Sequence, residues 1–196
     1  DLLLELGTEA LPPADVVRTI EQLQTLVPEQ LDEKNLTYDS IEVSGTPRRQ
    51  YVLVKNLLGR QPDETRQARG PAIRVAYDED NNPTKALQGF ARGQGIDLSQ
   101  IEQRDEYIWA GVTIYGRKTQ EILSELLPQI IGKLSFGKTM RWHSDGIAHP
   151  RPLRWIVALF GDCVIPFTYA RAMSGRTSYG LRPDRSPEIE IASASD

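Results

Sequence analysis

The run "LLLEL", Leu2 to Leu6, is apolar but too short for a helix, and it predicts a buried strand closed by the turn residues Gly7 and Thr8. The period then changes. In "LPPADVVRTIEQLQTLVPEQL" the apolar positions Val16, Ile20, Leu23, Val27 and Leu31 step by three or four, which is one face of a helix. Pro28 has no N–H to donate and is expected to kink that helix or end it near Val27. "IEVS" and "QYVLVKNLL" are rich in β-branched residues and flank the basic turn "GTPRR", Gly45 to Arg49, so two strands and a hairpin-like corner are predicted.

The segment "QPDETRQARGPAIRVAYDEDNNP" is polar and punctuated, and its "NNP" predicts a helix start with Asn82 as N-cap and Pro83 in the first helical position. The helix that follows, "TKALQGFARGQG", places Ala86, Leu87, Phe90 and Ala91 on one side and ends at Gly93 or Gly95. "EYIWAGVTIYG" alternates around Ile108, Ala110, Val112 and Ile114 and is the clearest strand of the sequence. "TQEILSELLPQIIGKL" predicts another helix, burying Ile122, Leu123, Leu126, Ile130, Ile131 and Leu134. "PLRWIVALFGD" and "CVIPFTYA" predict two apolar strands turned by Gly161 and Asp162. Together these elements predict an α+β fold of mixed or antiparallel strands with hairpins, packed against about three helices. Turn-rich composition near Arg60 and Phe136 suggests sub-lobes 1–60, 61–135 and 136–196.

Composition narrows the function classes. At 196 residues and 22.0 kDa the chain can build one substantial core or two small lobes. The net charge of -4 and pI near 5.3 give no global basic field toward nucleic acid or an anionic membrane, so an RNA contact has to be a local patch. One cysteine, Cys163, excludes an internal disulfide framework and a multi-cysteine zinc site, and points to a reducing cytoplasm. No apolar run approaches the roughly 20 residues that cross a bilayer, so no membrane partner is expected. The chain starts inside a strand-like run and stops at "IEIASASD" as a new element begins, and is read as a fragment of something longer.

Several constellations carry candidate chemistry. "GKLSFGKT", Gly132 to Thr139, fits the spacing of a nucleotide-gripping P-loop. A P-loop needs a strand before it and a helix starting at its Lys-Ser/Thr pair, whereas here a helical pattern enters and a turn-rich, proline-containing segment leaves. His143, Ser144, Asp145 and His149 contain the residue types of a hydrolytic triad or a metal site, but "HSDG" is also ordinary turn chemistry; no metal site and no catalytic residue is assigned. The glycines of "GFARGQG" sit at a predicted helix end, where the dipole repels phosphate. Arg48, Arg49, Arg92, Arg141, Arg151, Arg154 and Arg176 stand beside turns and aromatics, where planar guanidinium groups can hold phosphate and stack on bases, or alternatively pair with the chain's many acids.

The order of "LLLELGTEALPP", "GTPRR", "RGPAIRVAYD", "PTKALQGFARGQGID", "MRW", "RPLRWIVALFGDCVIPF" and "SGRTSYG" resembles the N-terminal part of the beta subunit of bacterial-type glycyl-tRNA synthetase, from Leu2 to about Gly180. "TSYG" resembles the cyanobacterial and plastid branch. The resemblance implies a ligase of two alpha and two beta chains that joins glycine to tRNA(Gly) with ATP. It implies that ATP and magnesium are used by the alpha subunit and that this fragment binds no cofactor. Its implied partners are the alpha subunit, tRNA(Gly) and the remainder of the beta chain. Within the matching motifs, Arg48, Arg49, Arg141, Arg151, Arg154 and Arg176 are the RNA-binding candidates. The chain departs from the family where the second glutamate of "GTEELPP" is Ala10, after Glu9, and where "GHRF" is replaced by Gly180, Leu181, Arg182 and Pro183. The histidine of that second motif is absent. A scaffold without RNA contact is the alternative, with "RPLRWIVALF" as its expected apolar interface.

Overall fold

The apolar opening run forms the strand β1 (Leu2–Thr8), and its alternation organises the main sheet: Leu2, Leu4 and Leu6 enter one core while Leu3 and Glu5 face the other side. The structure is a computed structural model that describes residues 1–144, 146–181 and 186–195. The chain divides into two compact units, Asp1–Gln61 with Arg117–Asp196, and Pro62–Gly116 between them.

In the first unit β1 is followed by α1 (Pro13–Glu33), β2 (Ser40–Thr46) and β3 (Arg49–Lys55). The second unit carries β4 (Glu64–Ala72), α2 (Ile73–Ala76), α3 (Lys85–Gln94), β5 (Ile101–Arg104) and β6 (Tyr107–Ile114). The first unit resumes with α4 (Thr119–Lys133), β7 (Met140–Arg141), β8 (Ala148–His149), β9 (Leu153–Phe160) and β10 (Cys163–Val164). It continues through β11 (Thr168–Tyr169), β12 (Ala172–Gly175), β13 (Thr177–Tyr179) and β14 (Glu188–Glu190). Helices and mainly antiparallel strands in several sheets make this an α+β fold.

The main sheet has the order β11-β12-β9-β1-β3-β2, with β10 also pairing with β9. The β12 to β9 pair is parallel and the others in this sheet are antiparallel. Leu23, Val27 and Leu31 of α1 and Ile122 to Ile131 of α4 cover one face, against Leu4, Val52, Val54 and Ile156. The other face is capped by Tyr179, Ile191 and Ala194 over Trp155, Val157 and Leu159.

Four sequence expectations change here. Helix α1 does not end near Val27 but continues past Pro28 to Glu33, because the carbonyl deprived of its partner belongs to the exposed turn of Gln24, where water can satisfy it. The N-cap of α3 is Thr84 rather than Asn82, and Pro83 pairs across to Tyr77 in an isolated bridge, so "NNP" ends a turn before the helix starts. Ala86 is exposed, leaving Leu87 and Ala91 as the buried stripe of α3. The apolar run "RPLRWIVALF" is central strand β9, its Ile156 to Leu159 buried between neighbours, so it is core and not an outward interface.

Candidate nucleic-acid interface

On the second face of the main sheet, Arg49, Gly7 and Trp155 stand in one row across β3, β1 and β9. A Cβ added at Gly7 would lie 1.9 Å from the nearest carbon of the Trp155 indole, so the ring rests directly on the strand backbone. One step back along β1 is Glu5, only 5% exposed. Its Oε1 accepts from Trp155 Nε1 at 2.6 Å and from Ser178 Oγ at 2.5 Å, and its Oε2 lies 3.3 Å from Arg49 Nε. A buried carboxylate is tolerable because donors and a guanidinium surround it. Arg49 also donates to the carbonyl of Tyr179. One acidic side chain thereby ties together β1, β3, β9 and β13.

A cleft opens beside this network. Glu9, Arg48, Arg154, Trp155 and Tyr179 line a cavity of about 250 Å³. A neighbouring cavity of about 570 Å³ shares Arg48, Trp155 and Tyr179 and adds Pro47, Arg49 and Leu181. Arg48 occupies the two-residue connection between the paired Thr46 and Arg49. Its carbonyl accepts from Thr8 N at 3.0 Å, which fixes the turn, while its buried Nε has no hydrogen-bond partner among the described residues. Arg154 is exposed, with Nε 3.7 Å from Glu9 Oε1, a surface pair weak enough to exchange for a phosphate. Arg151 reaches the rim, donating from Nε to the carbonyl of Ala10 at 3.2 Å.

The six arginines therefore do not form one set. Arg48, Arg49 and Arg154 wall the cleft and Arg151 stands at its rim. Arg141 lies on the β7–β8 hairpin, donating to the Gly146 carbonyl at 3.2 Å. Arg176 donates to the carbonyls of Asp162 at 2.8 Å and Ala192 at 3.1 Å, fastening the segment after β14 to the β9–β10 turn.

The other constellations resolve as structure. Gly132 lies inside α4, and the element after Lys138 and Thr139 is β7, so the strand-loop-helix of a P-loop is missing. Ser135, inside that stretch, is bound to α1 through Gln22. His149 is 6% exposed, packs edge-on against Phe136 with ring centroids 4.8 Å apart, and has Nδ1 2.8 Å from the Arg151 carbonyl. Burial lowers its pKa, which keeps the imidazole neutral. Asp145 lies outside the described residues, and among the described residues no group of three His, Cys, Asp or Glu side chains is placed to hold a metal ion. Gly95, at φ 65°, closes α3, the left-handed stop for which glycine is suited.

Comparison with known proteins gives the cleft a context. The glycyl-tRNA synthetase beta subunit family model matches residues 2–196. The chain belongs to this family. It is 45% identical over 186 residues to the glycine–tRNA ligase beta subunit of Citrifermentans bemidjiense, covering 93% of this chain and 27% of that protein. It is 42% identical over 196 residues to glycine–tRNA ligase, chloroplastic/mitochondrial 2, of Arabidopsis thaliana, covering 98% of this chain and 18% of that protein. The beta subunit of Shouchella clausii is 44% identical over 184 residues, 92% of this chain and 26% of that protein. The chain thus spans about a quarter of the length of its bacterial relatives.

Within this beta-subunit chain, the two departures from the family's wording fall near the cleft. Ala10 lines the larger cavity, next to Glu9, which pairs with Arg154. Gly180 and Leu181 line it too, while Arg182 and Pro183 lie outside the described residues. Sequence reasoning passed over Glu5 and took Gly7 and Thr8 for a closing turn, whereas β1 runs on to Thr8 with Gly7 paired on both sides; the available signal was a lone acid and a glycine in an otherwise apolar run.

Proposed function

We propose that this chain is a non-catalytic part of a glycyl-tRNA synthetase beta subunit, supporting ATP-dependent attachment of glycine to tRNA(Gly) through RNA binding and contacts with the alpha subunit and the rest of the beta chain. The family match across residues 2–196 carries this reading. The RNA contact is assigned first to Arg48 and Arg154, with Arg151 at the rim, because their guanidinium groups meet aromatic walls and are held by weak or no internal partners. Arg141 is a separate candidate on its hairpin. Arg49 and Arg176 spend their donors inside the fold and act by shaping the surface. ATP and magnesium belong to the alpha subunit in this reading, and the assembly is a cytoplasmic heterotetramer.

The test is Arg48→Ala with Arg154→Ala in the complete enzyme. The KM for tRNA(Gly) is expected to rise, with the KM values for glycine and ATP unchanged. An unchanged KM for tRNA, with unchanged salt dependence, would favour the scaffold role without RNA.

A further inference from the structure

The unit Pro62–Gly116 carries a surface that the cleft does not involve. Its sheet has the order β4-β6-β5. Ile101 and Ile108 on one face pack with Ala76 of α2 and with Leu87 and Phe90 of α3. The opposite face carries no such buried cluster among the described residues, and its central strand presents two half-buried aromatics, Tyr107 and Trp109, spaced by two so that both stand on that side. Trp109 donates from Nε1 to the Arg104 carbonyl at 3.1 Å, which orients the indole. Arg69, paired with Trp109 across the ladder, lays its guanidinium 3.6 Å from the centroid of the Tyr107 ring. No carboxylate pairs with Arg69 among the described residues. Arg104 stands opposite Tyr107 and, among the described residues, pairs with its exposed neighbour Asp105, at 3.5 Å.

Flatness completes the surface. Gly111 follows Trp109 on the same face, and a Cβ there would meet nothing nearer than 3.8 Å. Glu102, opposite Trp109, is the one carboxylate at the paired strand positions of this face, against the two guanidinium groups. Half-buried aromatics on a central strand, a stacked exposed arginine and a glycine-flattened row match the π-faces of successive unpaired bases and the phosphates between them. An A-form duplex keeps its bases stacked inside and offers nothing for Trp109 to stack on.

We propose that this face binds single-stranded RNA, with bases stacked on Trp109 and Tyr107 and phosphates held by Arg69 and Arg104. The proposal goes beyond the cleft reading and stands whether or not the cleft holds RNA. The experiment mixes the 196-residue chain with a mixed-sequence single strand of about eight nucleotides, or with the duplex form, and follows anisotropy and ultraviolet cross-linking with peptide mapping. The expected result is preference for the single strand and cross-links at Tyr107 or Trp109. Trp109→Ala should weaken binding about tenfold or more, and Trp109→Phe, which keeps a ring, by less. Arg69→Gln should make the salt slope shallower by about one, and Arg48→Ala with Arg154→Ala should leave the cross-links in place. Cross-links confined to the cleft, with no effect of Trp109→Ala, would overturn this proposal and spare the cleft reading. No binding of the single strand, or protection of Trp109 by the alpha subunit alone, would also overturn it.

Discussion

Replacing Gly7 by Ala should destabilise the chain only because of one ring. The new Cβ would lie 1.9 to 2.4 Å from three indole carbons of Trp155, whereas carbon atoms pack comfortably at about 3.5 Å or more. The ring therefore has to retreat by about 1.5 Å, and it is anchored by the 2.6 Å bond to buried Glu5 and by Tyr179, whose centroid is 5.0 Å away. Overpacking costs about 1–3 kcal/mol. Losing a hydrogen bond to a charged group costs about 1.5–3 kcal/mol more. Against this, removing a glycine from a strand returns about 0.5–1 kcal/mol. The net expectation is about 1.5–5.5 kcal/mol of destabilisation. Trp155→Ala alone should cost about 3–5 kcal/mol through its cavity. In that background the obstacle is gone, so Gly7→Ala should become neutral or stabilising by about 0.5–1 kcal/mol. Urea unfolding of the four proteins, followed by far-ultraviolet circular dichroism so that loss of a tryptophan does not alter the signal, gives the coupling directly. Equal effects of Gly7→Ala with and without the indole would refute the reasoning.

The remaining predictions concern other parts of the first unit. His149 is buried neutral with a lowered pKa, so the unfolded chain binds the proton more readily: stability is full above the ordinary histidine value of 6.5 and falls as pH drops toward the folded pKa. His149→Gln should flatten that limb relative to the parent by up to about 1.4 kcal/mol per pH unit, measured as denaturation midpoints across pH, and parallel curves would refute the assignment. Pro28→Ala should restore the N–H that α1 lacks and stabilise the chain by about 1 kcal/mol or more in urea unfolding, because the helix already runs through that position. A loss of stability would mean that the proline ring packs better than its missing bond costs.

The legible parts of the sequence were those with one strong period. β1, α1, α4 and β9 each carry an apolar pattern that matches their burial, β6 does so at Ile108 and Ala110 although its Ile114 is exposed, and the Gly161–Asp162 turn follows from its residues, with Gly161 at φ 60°. β4 was hidden because most of "ETRQARGPA" is exposed, so its pairing with β6 rather than any apolar alternation makes it a strand. The short strands β7, β8 and β11 to β14 are likewise defined by their partners, because two to four residues are too few to show an apolar period, while the predicted strand "CVIPFTYA" divides into β10 and β11. The arginines were visible as a population, but not their division into cleft walls and internal fasteners, which depends on carbonyls supplied by remote segments such as Tyr179 and Ala192. Glu5 was hidden by its own neighbours. Four leucines around it read as core, and its partners Arg49, Trp155 and Ser178 come from three other strands.

The most direct test of the RNA-binding account is the affinity of the chain for tRNA(Gly) across a salt series, with and without Arg48→Ala and Arg154→Ala. Binding that weakens steeply with salt, with the slope reduced by about two in the double variant, is the predicted result. Identical affinities and slopes for the two proteins would contradict it and remove the cleft from the RNA surface.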